Sequence, residues 1–164
     1  MGLSEIAAGI EVTAEQERRG VATVDDTDAT LEERLSEFAG ELPCGPAAAA
    51  VAVEQYAAGG SVGAAAEAAG VPAVTAAKAL HLLGESVSPV GPVGREVVRD
   101  WVEGELPRSE AEELARVSGP EFALAAYIET HEPLDGVRAA VEGALMREGR
   151  DGLDGAVGAA GGPR

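Results

Sequence analysis

The sequence predicts an all-α protein, and two observations carry that prediction. Helix boundary signals recur along the chain in mutually consistent order, and the apolar residues between them repeat on one side at helical spacing. The first signal is Thr13 to Gln16, a capping-box pattern in which the threonine hydroxyl and the glutamine side chain satisfy each other's free backbone N–H groups; the short polar helix it opens stops at Gly20. An extended stretch, Val21 to Val24, follows, and then the acids Asp25, Asp26 and Asp28. Thr30 to Glu33 is a second capping box. It opens a helix with the apolar stripe Leu31, Leu35 and Phe38, ended by Gly40.

After the break Leu42 to Pro46, the stretch Ala47 to Ala58 reads as an alanine-rich helix, with Pro46 suited to its first turn and Val51, Val53 and Tyr56 supplying bulk. Ser61 to Gly84 forms the next unit, and the turn-rich connector Ser86 to Gly94 separates it from a second helical group. That group has four expected helices, Val93–Glu103, Ser109–Val117, Pro120–Thr130 and Leu134–Met146, two of them opened by capping boxes at Ser109 to Glu112 and Ser118 to Glu121. Val97 and Trp101, Phe122 and Ala126, and Val137, Val141 and Leu145 continue the one-sided spacing, so Trp101, Phe122 and Tyr127 are the expected aromatic core of the group. The glycine-rich end, 148–164, is expected to be disordered. The organisation is thus an acidic helical arm (1–44), a three-helix unit (45–84), a second helical group (92–147) and a loose tail.

Composition limits the rest. With 164 residues the chain holds one compact domain or two small helical modules. Alanine fills 33 positions and aromatics only 3%, so the core is built from methyl groups, valine and leucine and is thin. One cysteine excludes a disulfide scaffold, no apolar run nears the ~20 residues a bilayer requires, and the first ten residues lack a basic leader; a soluble, cytoplasmic protein without a membrane partner is expected. Twenty-nine acids against twelve bases give a formal charge of −17, and eleven of the bases are arginine, leaving Lys78 as the sole lysine. This acidic, lysine-poor, alanine- and valine-rich balance resembles the cytoplasmic proteins of halophilic archaea, where screening shortens the Debye length to ~3 Å near 1 M salt and dense carboxylates repel little. The charge is uneven: residues 45–84 carry two acids and one base and are nearly neutral.

The chemistry of the chain concentrates in that neutral segment. A helix-turn-helix requires a small residue where its helices meet, a residue tolerant of positive φ in the turn, a buried aliphatic next, and apolar positions on the second helix. Ala66, Gly70 and Val71 fill the first three, and Ala76, Ala79, Leu80 and Leu83 follow at i, i+3, i+4 and i+7. The segment resembles the helix-turn-helix of resolvase-like and phage-repressor-like DNA-binding proteins over about two dozen residues, and the chain to about Met146 is similar to an uncharacterised protein family of halophilic archaea containing such a unit. The first resemblance implies that Pro72 to Leu83 is a recognition helix lying in the major groove of double-stranded DNA. Its outward side chains are then Val74, Thr75, Ala77, Lys78 and His81: Thr75 meets a thymine methyl or a phosphate, Lys78 guanine or phosphate, and His81 the backbone. Arg95 and Arg99, four apart on the next helix, add phosphate contacts if that helix packs alongside. The face lacks the Arg, Asn or Gln of bidentate base reading.

A transcriptional regulator is therefore the expected function, with the second helical group supplying a homodimer contact and spacing two recognition helices about one DNA turn apart. The alternative is a non-enzymatic adaptor that uses the same face, with Val74, Thr75, Ala77 and Leu82 exposed, to dock a helix of another protein. Enzyme chemistry, a metal and a cofactor are not expected: Cys44 has no neighbouring cysteine or histidine in sequence, His81 and His131 are far apart, the Asp25–Asp28 run lacks the glycine and later glutamate of a calcium loop, and no glycine loop has phosphate-binding spacing. Glu110, Glu112 and Glu113 fit the start of a helix, where acids favour the macrodipole. Self-repulsion at −17 predicts that the unfolding midpoint rises between about 0.1 M and about 3 M KCl. Equal midpoints would contradict the high-salt reading.

Overall fold

The structure, a computed structural model, describes residues 29–160. The expected capping box at Thr13 to Gln16, the stretch Val21 to Val24 and the aspartates at 25, 26 and 28 lie outside those residues. Among the described residues every regular element is a helix: α1 (Leu31–Leu35, followed by a 3₁₀ turn Ser36–Phe38), α2 (Pro46–Ala57), α3 (Val62–Ala69), α4 (Ala73–Leu82), α5 (Pro92–Val102), α6 (Arg108–Ala115), α7 (Gly119–Thr130) and α8 (Val137–Ala160). The fold is all-α.

Local signals explain most boundaries. The Thr30 hydroxyl accepts from Glu33 N–H at 3.2 Å and the Glu33 carboxylate accepts from Thr30 N–H at 2.8 Å, which closes the capping box of α1. Ser118 and Glu121 repeat the arrangement at α7. Those bonds to Ser118 hold the Glu121 carboxyl below the usual range. Helix α3 ends where Gly70 turns left-handed at φ 67°, and Val71 N–H reaches back to Ala66 C=O at 3.1 Å. At the end of α4, Gly84 is also left-handed, and the stem of Arg138 passes so close that a Cβ there would lie 3.1 Å from it.

Two boundaries differ from expectation. Helix α6 starts at Arg108 after an extended Pro107, whose ring fixes a φ suited to helix entry, so Ser109 falls inside the first turn and caps nothing. Its expected partner Glu112 instead accepts from Arg108 at 2.8 Å. Helix α8 begins at Val137 and runs to Ala160, so the described part of the expected disordered tail is helical. Glycine costs a helix about 1 kcal/mol relative to alanine, yet no two glycines of α8 are adjacent, and the first proline after Pro133 is Pro163.

Packing divides into two cores. The first gathers Leu31, Leu35, Ala49, Val53, Leu80 and Leu83 from α1, α2 and the end of α4, joined by Val137, Val141 and Ala144 of α8. Helix α8 was expected within the second group; it crosses back because α1 leaves Leu31 and Leu35 needing cover, and α8 packs on α1. The second core holds Val90, Val98, Ala111, Phe122 and Ala125, with the Trp101 ring edge-on to Phe122 at 5.2 Å and 70°. Tyr127 is not part of it. Over residues 45–84, Ala66, Ala76, Ala79, Leu80 and Leu83 are buried, whereas Val71 is half-buried and Val51 exposed.

Leu80 is fully buried, so Leu80→Ala is expected to cost about 2–5 kcal/mol of unfolding free energy by chemical denaturation. At Gly94 a Cβ would meet Val90 Cβ at 2.9 Å, and Gly94→Ala is expected to cost about 1–3 kcal/mol through overpacking of the second core. A gain in stability in Gly94→Ala, from recovered helix propensity with no clash, would show that α5 does not seat against Val90.

Candidate nucleic-acid interface

Helix α4 presents Thr75, Lys78 and His81 three residues apart, so they share one face of the helix. Helix α7 packs across that face. Lys78 is half-buried, with its ammonium 4.7 Å from the centroid of the Tyr127 ring. The His131 ring stacks on Tyr127 at 3.9 Å and 15°, and His131 Nδ1 lies 2.9 Å from the Tyr127 carbonyl, which places a proton on that nitrogen. His81 Nε2 donates to the His131 carbonyl, and Leu134 N–H donates to the Leu82 carbonyl at 2.9 Å, so the segment after α7 is tied down over the end of α4.

This docking changes the expected outward face. Ala77 and Leu82 are buried at 1% and 3% exposure, contrary to their expected exposure; Ala77 shares a wall with Pro120 and Leu124 of α7, and Leu134 N–H bonds the Leu82 carbonyl. Val74 remains open at 44%, Thr75 is half-buried, and Arg95 and Arg99 on α5 are exposed. Arg99 bonds Glu129 of α7 at 3.3 Å, an ion pair with one exposed partner and correspondingly small value. Arg95 lines a cleft with His81, Glu85 and Glu129. The structure therefore gathers Lys78, His81, Arg95 and Arg99 along the seams of α4 and α5 with α7, but with carboxylates among them.

Beside the N-terminal end of α4 lies a second concavity of about 340 Å³, walled by Val62, Val74, Val87, Pro89, Pro120 and Leu124, with Glu121 at its edge. Two residues that decide the seam are read otherwise from sequence, Tyr127 as part of the second core and His131 without a role. Tyr127 and His131 stand four apart on and just beyond α7, a spacing that brings rings together, and Glu129 lies between them. Elsewhere, burial pushes the Cys44 thiol up, the opposite of what a nucleophilic cysteine requires. Asp100, Glu103 and Glu105 cluster at the end of α5, half-exposed or exposed. Among the described residues no helix is long and apolar enough to cross a membrane.

An all-α chain with two cores joined through α4 and α7 is the class these observations define. The chain belongs to a family of unknown function, DUF7858, whose model matches residues 1–160. No curated protein and no solved structure matches it. The membership brings no activity with it.

The Lys78–Tyr127 contact is testable by a double-mutant cycle with Lys78→Met and Tyr127→Leu. A coupling energy of about 0.5–1 kcal/mol is expected from unfolding in denaturant. Additive effects would remove the cation–π contact.

Proposed function

We propose that this protein is a non-enzymatic interaction protein of a high-salt cytoplasm, and that the groove between the N-terminal ends of α4 and α7 receives an amphipathic helix of a partner protein. One observation carries the reading: Lys78 and His81 of α4 are engaged by Tyr127 of α7 and by His131 just beyond it, while the exposed Val74 opens onto a groove walled by Val62, Val87, Pro120 and Leu124. An open apolar wall of this kind is what a helix-in-groove contact uses. Charge sets the chemistry of the partner. Glu121 borders the groove and the chain carries −17, so the favoured occupant presents an apolar ridge flanked by arginine or lysine.

The duplex-binding regulator is the competing proposal. For it, Lys78 and His81 must give up Tyr127 and the His131 carbonyl, and a duplex must approach carboxylates at Glu85 and Glu129. Sequence-independent affinity for DNA rests on cations displacing counterions, and the single lysine of α4 supplies little of it.

A photo-crosslinking residue at position 74, used in cells at native salt, separates the two. The expected product is a recurrent protein adduct whose crosslinked peptide shows apolar residues at i, i+3 or i+4 with basic flanks. It should resist nuclease and be lost on Leu124→Glu. Adducts to DNA would replace this proposal with the regulator, and adducts to a second copy would make the groove a self-association surface. Absence of any adduct would overturn the docking site.

A further inference from the structure

The junction of the two cores holds a second site, which adjoins the apolar groove through Val87. The end of α4, the segment 84–88, the start of α5 and the end of α7 enclose a cleft of about 380 Å³. Cavities between packed units, with a few convergent polar groups on an apolar wall, are where small ligands bind. Here the polar groups are of both signs. Arg95 and Glu85 line the same cleft, and among the described residues neither makes an ion pair, although Arg99, one turn beyond Arg95, is held by Glu129. In a chain with 29 acids to 12 bases, a guanidinium and a carboxylate that share a cavity without reaching each other are two charges of opposite sign held apart. Val87, Ile128 and Pro133 supply the apolar wall.

Such a cleft discriminates by charge. A simple anion meets Arg95 but faces Glu85 and Glu129, and a simple cation meets the carboxylates but faces Arg95. A zwitterion satisfies both ends. We propose that this cleft binds a free α-amino acid with an aliphatic side chain: its carboxylate accepts from the Arg95 guanidinium, its ammonium donates to Glu85, and its hydrocarbon lies on Val87, Ile128 and Pro133. His81 is a positioning residue; its bond to the His131 carbonyl holds the segment that carries Pro133. Because the wall is drawn from elements of both cores, a ligand bound there stabilises their junction by mass action.

The test uses the full chain and three probes: L-leucine, 4-methylpentanoate, which lacks the ammonium, and 3-methylbutylamine, which lacks the carboxylate. Calorimetric titration and thermal unfolding are read together at fixed salt. L-leucine is expected to bind saturably and raise the midpoint, and each one-charge analogue to bind at least about tenfold more weakly. Arg95→Gln and Glu85→Gln lie at exposed and half-buried positions; each is expected to fold with an unchanged helical spectrum and to weaken L-leucine at least about tenfold. No saturable L-leucine binding up to about 10 mM, equal affinity for either analogue, or wild-type binding in both variants would overturn the assignment. The outcome is independent of whether the groove at Val74 takes a partner helix.

Discussion

A ten-residue helix that must be buried on two sides is the constraint on which the rest of this structure depends. Helix α4 sends Ala76, Ala79 and Leu80 inward, with Leu80 in the first core, while Ala77 and Lys78 meet α7 on another side. Four of its ten residues are alanine, and small side chains let a helix approach neighbours closely on more than one flank. What remains polar on α4 must then find partners in α7, because a half-buried ammonium or imidazole left without one carries a desolvation cost. Tyr127 offers its ring face to Lys78, and the His131 carbonyl accepts from His81.

From that constraint follows the functional reading. Lys78 and His81, which a recognition helix would turn toward base edges, have partners across the seam, and the open surface beside them is apolar at Val74 and mixed in charge near Arg95. An apolar groove suits a helix, and a cleft with separated opposite charges suits a zwitterion. The two concavities share the α4–α7 docking as their common support, since each is walled by both helices or by their flanking segments.

How much was legible in the sequence divides by distance along the chain. The capping boxes at Thr30 and Ser118 and the left-handed turn at Gly70 are local, settled by three- to five-residue hydrogen bonds, and each stands where the residue pattern puts it. The apolar stripe of α4 was equally readable. Partner choice was not: Val137 and Val141 at helical spacing announce a buried face but not which core buries it, and α8 crosses to α1. Ala77 illustrates the same limit, since alanine is as acceptable in solvent as under a neighbouring helix, and only the arrival of α7 decides. For the candidate site, the sequence singles out Thr75, Lys78, His81, Arg95 and Arg99 for a role toward an outside ligand, and Lys78, His81 and Arg99 have contacts inside the protein.

The seam between α4 and α7 can be observed through one nucleus, because the chain contains a single lysine. In protein labelled with ¹³C only at lysine, the ε-methylene of Lys78 is expected upfield of its free-chain position under the Tyr127 ring current, with cross-relaxation to the ring protons and no movement when duplex DNA is added. A free-chain shift without contact to Tyr127, or a resonance that moves with added duplex, would contradict the account.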